Sequence, residues 1–133
     1  MNVPDGNYKV TVTLGSKDAA GSTTVRGESR RLFIENLNTK KGELVTETFT
    51  INKRNTIIKG NQKVKIKERE KKKLNWDDKL TLEFNGDAPR LSSLVIEKWI
   101  NPTIFLCGNS TVVDNDNEPW ARLGTDDNPF FYR

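Results

Sequence analysis

The stretch NYKVTVTL, residues 7–14, alternates without a break: Tyr8, Val10, Val12 and Leu14 fall on one side of an extended chain, Lys9, Thr11 and Thr13 on the other. Successive strand side chains point to opposite faces, so this period of two predicts a half-buried β-strand. Its even-numbered face is bound for a core and its odd-numbered face for solvent. The Asp5-Gly6 pair just before it is a turn signal that marks where the strand begins.

Outward from this strand the pattern repeats between further turn signals. GSKDAAGS, from Gly15, has loop composition; TTVRGESRRLFIENL holds two short extended pieces around Gly27; KKG at residues 40–42 marks another turn. ELVTETFTIN is rich in β-branched residues and places Val45, Glu47, Phe49 and Ile51 on one face, an imperfect period because of the glutamate. KVKIKE, then KLTLEFNGD with Leu80, Leu82 and Phe84 aligned, then SSLVIEKW with Leu94 and Ile96 aligned, and finally TIFLC bring the total to about eight strands. No helical period of 3.6 persists over a dozen residues. The expected fold is all-β, an antiparallel β-sandwich of jelly-roll (galactose-binding-like) type. TIFLC, residues 103–107, differs from the other runs. It is continuously apolar and follows Asn101-Pro102, which suits a strand buried on both faces, as in a parallel α/β sheet. A domain boundary near residue 100 follows.

Composition narrows the function classes. The 133 residues suffice for one ordinary core, and 34% hydrophobic against 30% charged content fits strands that each bury one face. No apolar run approaches the roughly 20 residues of a membrane span, and the opening MNVPDGNYKV has no signal-peptide pattern, so no membrane partner is expected. Cys107 is the sole cysteine and histidine is absent, which excludes an internal disulfide and the usual zinc sites; no metal and no cofactor is expected. The net charge of +4 is local: residues 53–73 carry ten Lys/Arg against two Glu, and the remainder is net negative. Within that segment Val64 and Ile66 alternate with lysines, the pattern of a half-exposed strand and a solvated loop; an anion-binding patch is the sharper alternative. With few aromatics interleaved, nucleic acid is not an expected partner.

Three further groups could carry chemistry. NWDD, residues 75–78, sets Trp76 beside two carboxylates ahead of a strand, where the ring could stack on a sugar or plug the core. Asp77 and Asp78 fall short of the six to eight oxygens that calcium prefers, and DNDNEP at residues 114–119 reads as loop. Arg30 and Arg31 alternate on a strand, so one of them faces inward. Arg31 has Glu28 or Glu35 as candidate ion-pair partners, or it recognises a carboxylate on an acidic glycan.

The remaining motif is a serine turn. In TIFLCGNSTVVDNDNEPW a short apolar run ends in Gly108, Asn109 and Ser110, and such a turn can expose a serine at the edge of a sheet with its amide free for an oxyanion. With Thr111, Glu118 and Pro119 in order, the segment resembles the first conserved block of the SGNH, or GDSL, hydrolases, rhamnogalacturonan-acetylesterase-like, with Asn109 in place of the family's Asp. VPDGNYKVTVTLGS, ESRRLFIEN and LNWDDKLTLEFNGDAP resemble the amino-terminal β-sandwich that some members carry. The resemblance implies a β-sandwich accessory domain over residues 1–100 and the truncated start of an SGNH hydrolase domain over 101–133, with Ser110 at the nucleophile position. It also implies a parent acetylesterase that acts on pectic polysaccharide and is exported.

A serine without a general base is a weak nucleophile, and this chain has no histidine, so the fragment itself is expected to be inactive. After Trp120 the family commonly continues Ala-x-Trp-Gly-Gln-Met. Those codons shifted by one base can spell Leu-Gly-Thr-Asp, the series found at Leu123–Asp126, which points to a frame slip that removed the missing hydrolase domain; an unrelated loop rich in Asp and Asn is the alternative. The rival reading is a free-standing carbohydrate-binding module with a glycan partner. A third is a purely structural domain whose uncovered apolar patch would favour a homo-oligomer.

Overall fold

Residues 1–28, 31–66, 68, 71 and 76–104 are described by a computed structural model. The alternating stretch lies in β1 (Gly6–Gly15), the central strand of a three-stranded antiparallel sheet. It pairs along its whole length with β4 (Leu44–Lys53) on one side and with β8 (Leu91–Trp99) on the other. A second sheet has β2 (Gly21–Gly27) at its centre, between β3 (Arg31–Thr39) and β7 (Leu82–Ala88). Two short strands, β5 (Ile57–Lys59) and β6 (Gln62–Lys63), form a separate hairpin. All of these pairings are antiparallel, and the protein is an all-β sandwich of two sheets.

The core sits where the even face of β1 meets the second sheet. Val10, Val12 and Leu14 are completely buried, and Tyr8 nearly so, its hydroxyl donating to the Pro4 carbonyl at 2.6 Å. The register places Phe49 of β4 and Ile96 of β8 on either side of Val10, so one row of side chains faces inward across all three strands. Val25 of β2, Phe33 of β3 and Phe84 of β7 meet that row from the other sheet; Phe33 and Phe49 stack with centroids 4.2 Å apart. Gly27 makes this approach close enough: a Cβ there would stand 2.5 Å from Ile51 Cδ1 and 2.8 Å from Phe33. Gly15 ends β1 at φ +112°, where a side chain would run into the Glu43 carbonyl.

Edge positions explain the imperfections in the pattern. Glu47 shares the inward phase with Phe49 yet is exposed, because β4 is an edge strand and its carboxylate escapes sideways to water. Leu94 is likewise 41% exposed on the opposite edge strand, β8, although it aligns with Ile96. KVKIKE is not a strand beyond Lys63: residues 64–66 lie outside any strand, although the Val64 amide donates to the Thr56 carbonyl at 2.8 Å and Val64 and Ile66 remain half-buried. The expected strand TIFLC is also not borne out at its start, since Thr103 and Ile104 are exposed and outside any strand; its other residues lie outside the described ones.

The two faces of β1 differ in their energetic weight. Leu14→Ala should lower the free energy of unfolding by about 3 kcal/mol in a urea titration, whereas Thr13→Ala next to it should change it by less than about 1 kcal/mol. Equal losses would mean that the faces of β1 have been assigned wrongly.

Candidate functional site

Period two continues outward as well as inward. On the outer face of the first sheet, the register sets Asn7 of β1 opposite Asn52 of β4 and Trp99 of β8. These three side chains come together at the end of the sandwich where β1 starts and β4 and β8 finish. Asn52 Nδ2 donates to Asn7 Oδ1 at 2.8 Å, and Asn7 Nδ2 donates to the Asn101 carbonyl at 2.7 Å and to Thr103 Oγ1 at 2.8 Å. The chain leaving β8 is thereby held across the strand ends. An open cleft of about 290 Å³ lies between, lined by Asn7, Asn52, Trp99, Thr50, Arg31 and the run from Asn101 to Ile104.

Arg31 reaches this cleft from the other sheet. It is the first residue of β3, an edge strand like β4, and its Nη1 donates to the Asn52 carbonyl at 3.1 Å, tying the two sheets together at their rim. Burial and the neighbouring Arg54 both disfavour its charge, and Glu28 offsets them in part. A guanidinium stays protonated through such shifts, so Arg31 is a fixed positive charge in the wall of the cleft. Of the two carboxylates expected as partners, Glu28 acts on it; Glu35 is exposed on β3.

A second, smaller hollow adjoins the first and shares Arg31 and Asn52 with it; Glu28, Arg54 and Trp76 complete its lining. Glu28 is buried in a left-handed conformation (φ 54°) and accepts from the Thr81 amide at 3.2 Å. Its carboxyl is held above the usual range chiefly by burial, with Asp77 acting in the same direction; the Thr81 hydrogen bond, Arg31 and Arg54 oppose the shift. Trp76 has one ring face covered by the Arg54 guanidinium, 4.9 Å from the centroid. It therefore buttresses the arginines. The more exposed ring is that of Trp99, 38% accessible, which also carries a cation against one face. Lys9 lies against the Trp99 ring at 5.0 Å and is paired with Glu97 at 2.8 Å.

The structure thus brings together Trp76 and Arg31, the two residues singled out in the sequence as glycan contacts, and adds Trp99, Asn7 and Asn52. A sequence signal for Trp99 existed: in SSLVIEKW, Leu94 and Ile96 set the inward phase, so Trp99 falls outward, in step with Asn7. Asn52 Oδ1 is a buried acceptor that no donor meets among the described residues. Gly108, Asn109 and Ser110 lie outside the described residues. Among the described residues no three potential metal-ligating side chains converge, and no helix is long and apolar enough to cross a membrane. No protein-family model, curated protein or solved structure matches the chain.

The raised Glu28 carboxyl makes stability depend on pH. A folded value above the unfolded one means that the native state holds the proton more tightly. This contribution is full below the ordinary glutamate range and is lost as pH rises through the folded value. Glu28→Gln should flatten that decline in melting temperature without lowering it at neutral pH. A variant less stable than the parent at neutral pH alone would show that the charged form is favoured in the fold.

Proposed function

We propose that this chain is the glycan-recognising β-sandwich module of a carbohydrate esterase, of jelly-roll type, and that the cleft beside Trp99 takes a pectic saccharide. The observation that carries the reading is the pairing of an exposed tryptophan with a rim arginine, Arg31, in a cleft whose other walls are asparagine and threonine together with Ile51, Pro102 and Ile104. Each part answers one part of a uronic acid. The ring stacks on the C–H face of a pyranose; the planar guanidinium, which has five N–H donors, matches a carboxylate; and the asparagine and threonine side chains of the cleft pair with sugar hydroxyls. Few other soluble ligands present an apolar face, a carboxylate and several hydroxyls together.

The jelly-roll reading draws support from the way the β1–β2 pair lies beside β8 and β7, one partner in each sheet. The esterase reading rests on the resemblance of the serine-turn block to SGNH hydrolases, with Ser110 in the nucleophile position and the intact parent an exported pectic acetylesterase. The cleft favours binding as this module's own work, whether it is joined to a hydrolase or stands alone.

Calorimetric titration with digalacturonate tests the cleft. Trp99→Ala should weaken binding at least about tenfold, the loss of one stacked ring face. Arg31→Ala should abolish carboxylate-dependent affinity and, because Arg31 also ties the two sheets and offsets Glu28, lower the melting temperature as well. Unchanged affinity with lost stability would make Arg31 a purely structural tie between the sheets.

A further inference from the structure

The basic segment of the sequence takes no part in the cleft, and the fold gives its first half a definite shape. β5 and β6 turn through Gly60, at φ +55°, and Asn61 into a hairpin that belongs to neither sheet of the sandwich. Its base is closed by the Ile57 amide, which donates to Asn55 Oδ1 at 2.7 Å, and by the Val64 amide, which donates to the Thr56 carbonyl at 2.8 Å. Every residue from Ile57 to Lys63 is exposed.

Two kinds of side chain meet on this hairpin. Adjacent strand residues point to opposite faces, so Ile57 and Ile58, 53% and 65% exposed, place apolar surface on both sides of β5. Lys63 stands opposite Ile57, and Lys59 follows Ile58. Among the described residues neither of these lysines nor the exposed Lys65 has an ion-pair partner, since Glu68 pairs with Lys71 instead. Residues 53–73 hold ten Lys/Arg against two Glu while the rest of the chain is net negative, so positive charge is concentrated about the hairpin.

Each class of occupant meets this combination differently. A rigid protein surface covers one face of a two-stranded ribbon and leaves the other isoleucine in water. Nucleic acid satisfies the lysines, but no aromatic residue lies between Asn55 and Ile66 to stack on a base, and isoleucines gain nothing from phosphates. An acidic polysaccharide lacks a stacking partner here for the same reason. A fluid layer of anionic lipid closes around both faces. Its acyl boundary takes the isoleucines, and the lysine stems lie along that boundary while their ammonium groups reach headgroup phosphates. Attachment of this kind needs no membrane span.

We propose that the β5–β6 hairpin is a peripheral docking element for an anionic lipid surface. The β5 edge enters the headgroup layer with Ile57 on one side and Ile58 on the other, and Lys59, Lys63 and Lys65 contact the phosphates. The same surface repels the net negative remainder of the chain, which orients the molecule hairpin first. This inference is independent of the reading of the cleft.

Co-sedimentation of the whole chain with vesicles tests it, comparing phosphatidylcholine alone with phosphatidylcholine containing about 30 mol% phosphatidylglycerol. The chain should bind the mixed vesicles and not the neutral ones. Ile57→Ser combined with Ile58→Ser should weaken binding at least about tenfold, and Lys59→Gln combined with Lys63→Gln and Lys65→Gln about a hundredfold. The substituted side chains are exposed, so both variants should melt with the parent. Trp99→Ala, which removes the ring of the cleft, should bind vesicles as the parent does. Absence of binding to the mixed vesicles, or its loss in Trp99→Ala, overturns the proposal. So does an isoleucine variant that binds as tightly as the parent, or displacement from the vesicles by duplex DNA or homogalacturonan at equal charge, because either result leaves a patch that takes any polyanion.

Discussion

The inward row of β1 is the constraint on which the rest depends. Tyr8, Val10, Val12 and Leu14 lie in the middle of their sheet, nearly or wholly removed from water. Burying such side chains is worth on the order of 1.5–3 kcal/mol each, and a slip of one residue would exchange all four for Asn7, Lys9, Thr11 and Thr13. Register is therefore set where it is most costly to change. Both neighbours inherit it: β4 must present Phe49 and Ile51, and β8 must present Ile96, to the same side.

The site is a consequence of that register. Once the even residues of β1 are committed to the core, Asn7 must face out, and with it Asn52 and Trp99 from the adjoining strands. Arg31 is placed by a different requirement. Gly27 allows the second sheet to approach Ile51 of the first closely, and the chain then turns to start β3 at the rim beside β4. Binding groups thus come from strands that have already been fixed by packing, so little ordering remains to be done when a ligand arrives. The cluster of Glu28, Arg31 and Arg54 adds a buried charge balance behind the cleft wall, in which burial opposes ionisation and opposite charges restore it.

Much of this was legible in the chain, and its limits have physical causes. The class and most strands follow from period two, which is strong wherever one face is buried; β1, β4, β7 and β8 all overlap stretches read as strands and run one residue past them, β1 at both ends. It weakens at the edges, where Glu47 and Leu94 sit in an inward phase but reach solvent. The β5–β6 hairpin escaped because its exposed Ile57 and Ile58 are adjacent and do not alternate, and the lysine-flanked Val64 and Ile66 mimicked a strand. Arg31 and Trp76 were identified by residue type, and their meeting in one hollow depends on long-range pairing that no local pattern carries. Trp99 was within reach by parity alone, but an aromatic at a strand end also reads as core.

The central claim is that saccharide recognition occurs at the end of the sandwich by Trp99 and its asparagine neighbours, and not at the basic hairpin. Nitrogen-edited NMR of the labelled chain, titrated with a galacturonate hexamer, tests this most directly. The account predicts shifts confined to the Trp99 indole N–H, the Asn7 and Asn52 side-chain amides and the backbone amides next to them. Shifts centred instead on the amides of Lys59, Lys63 and Lys65, or none at saturating hexamer, would contradict it.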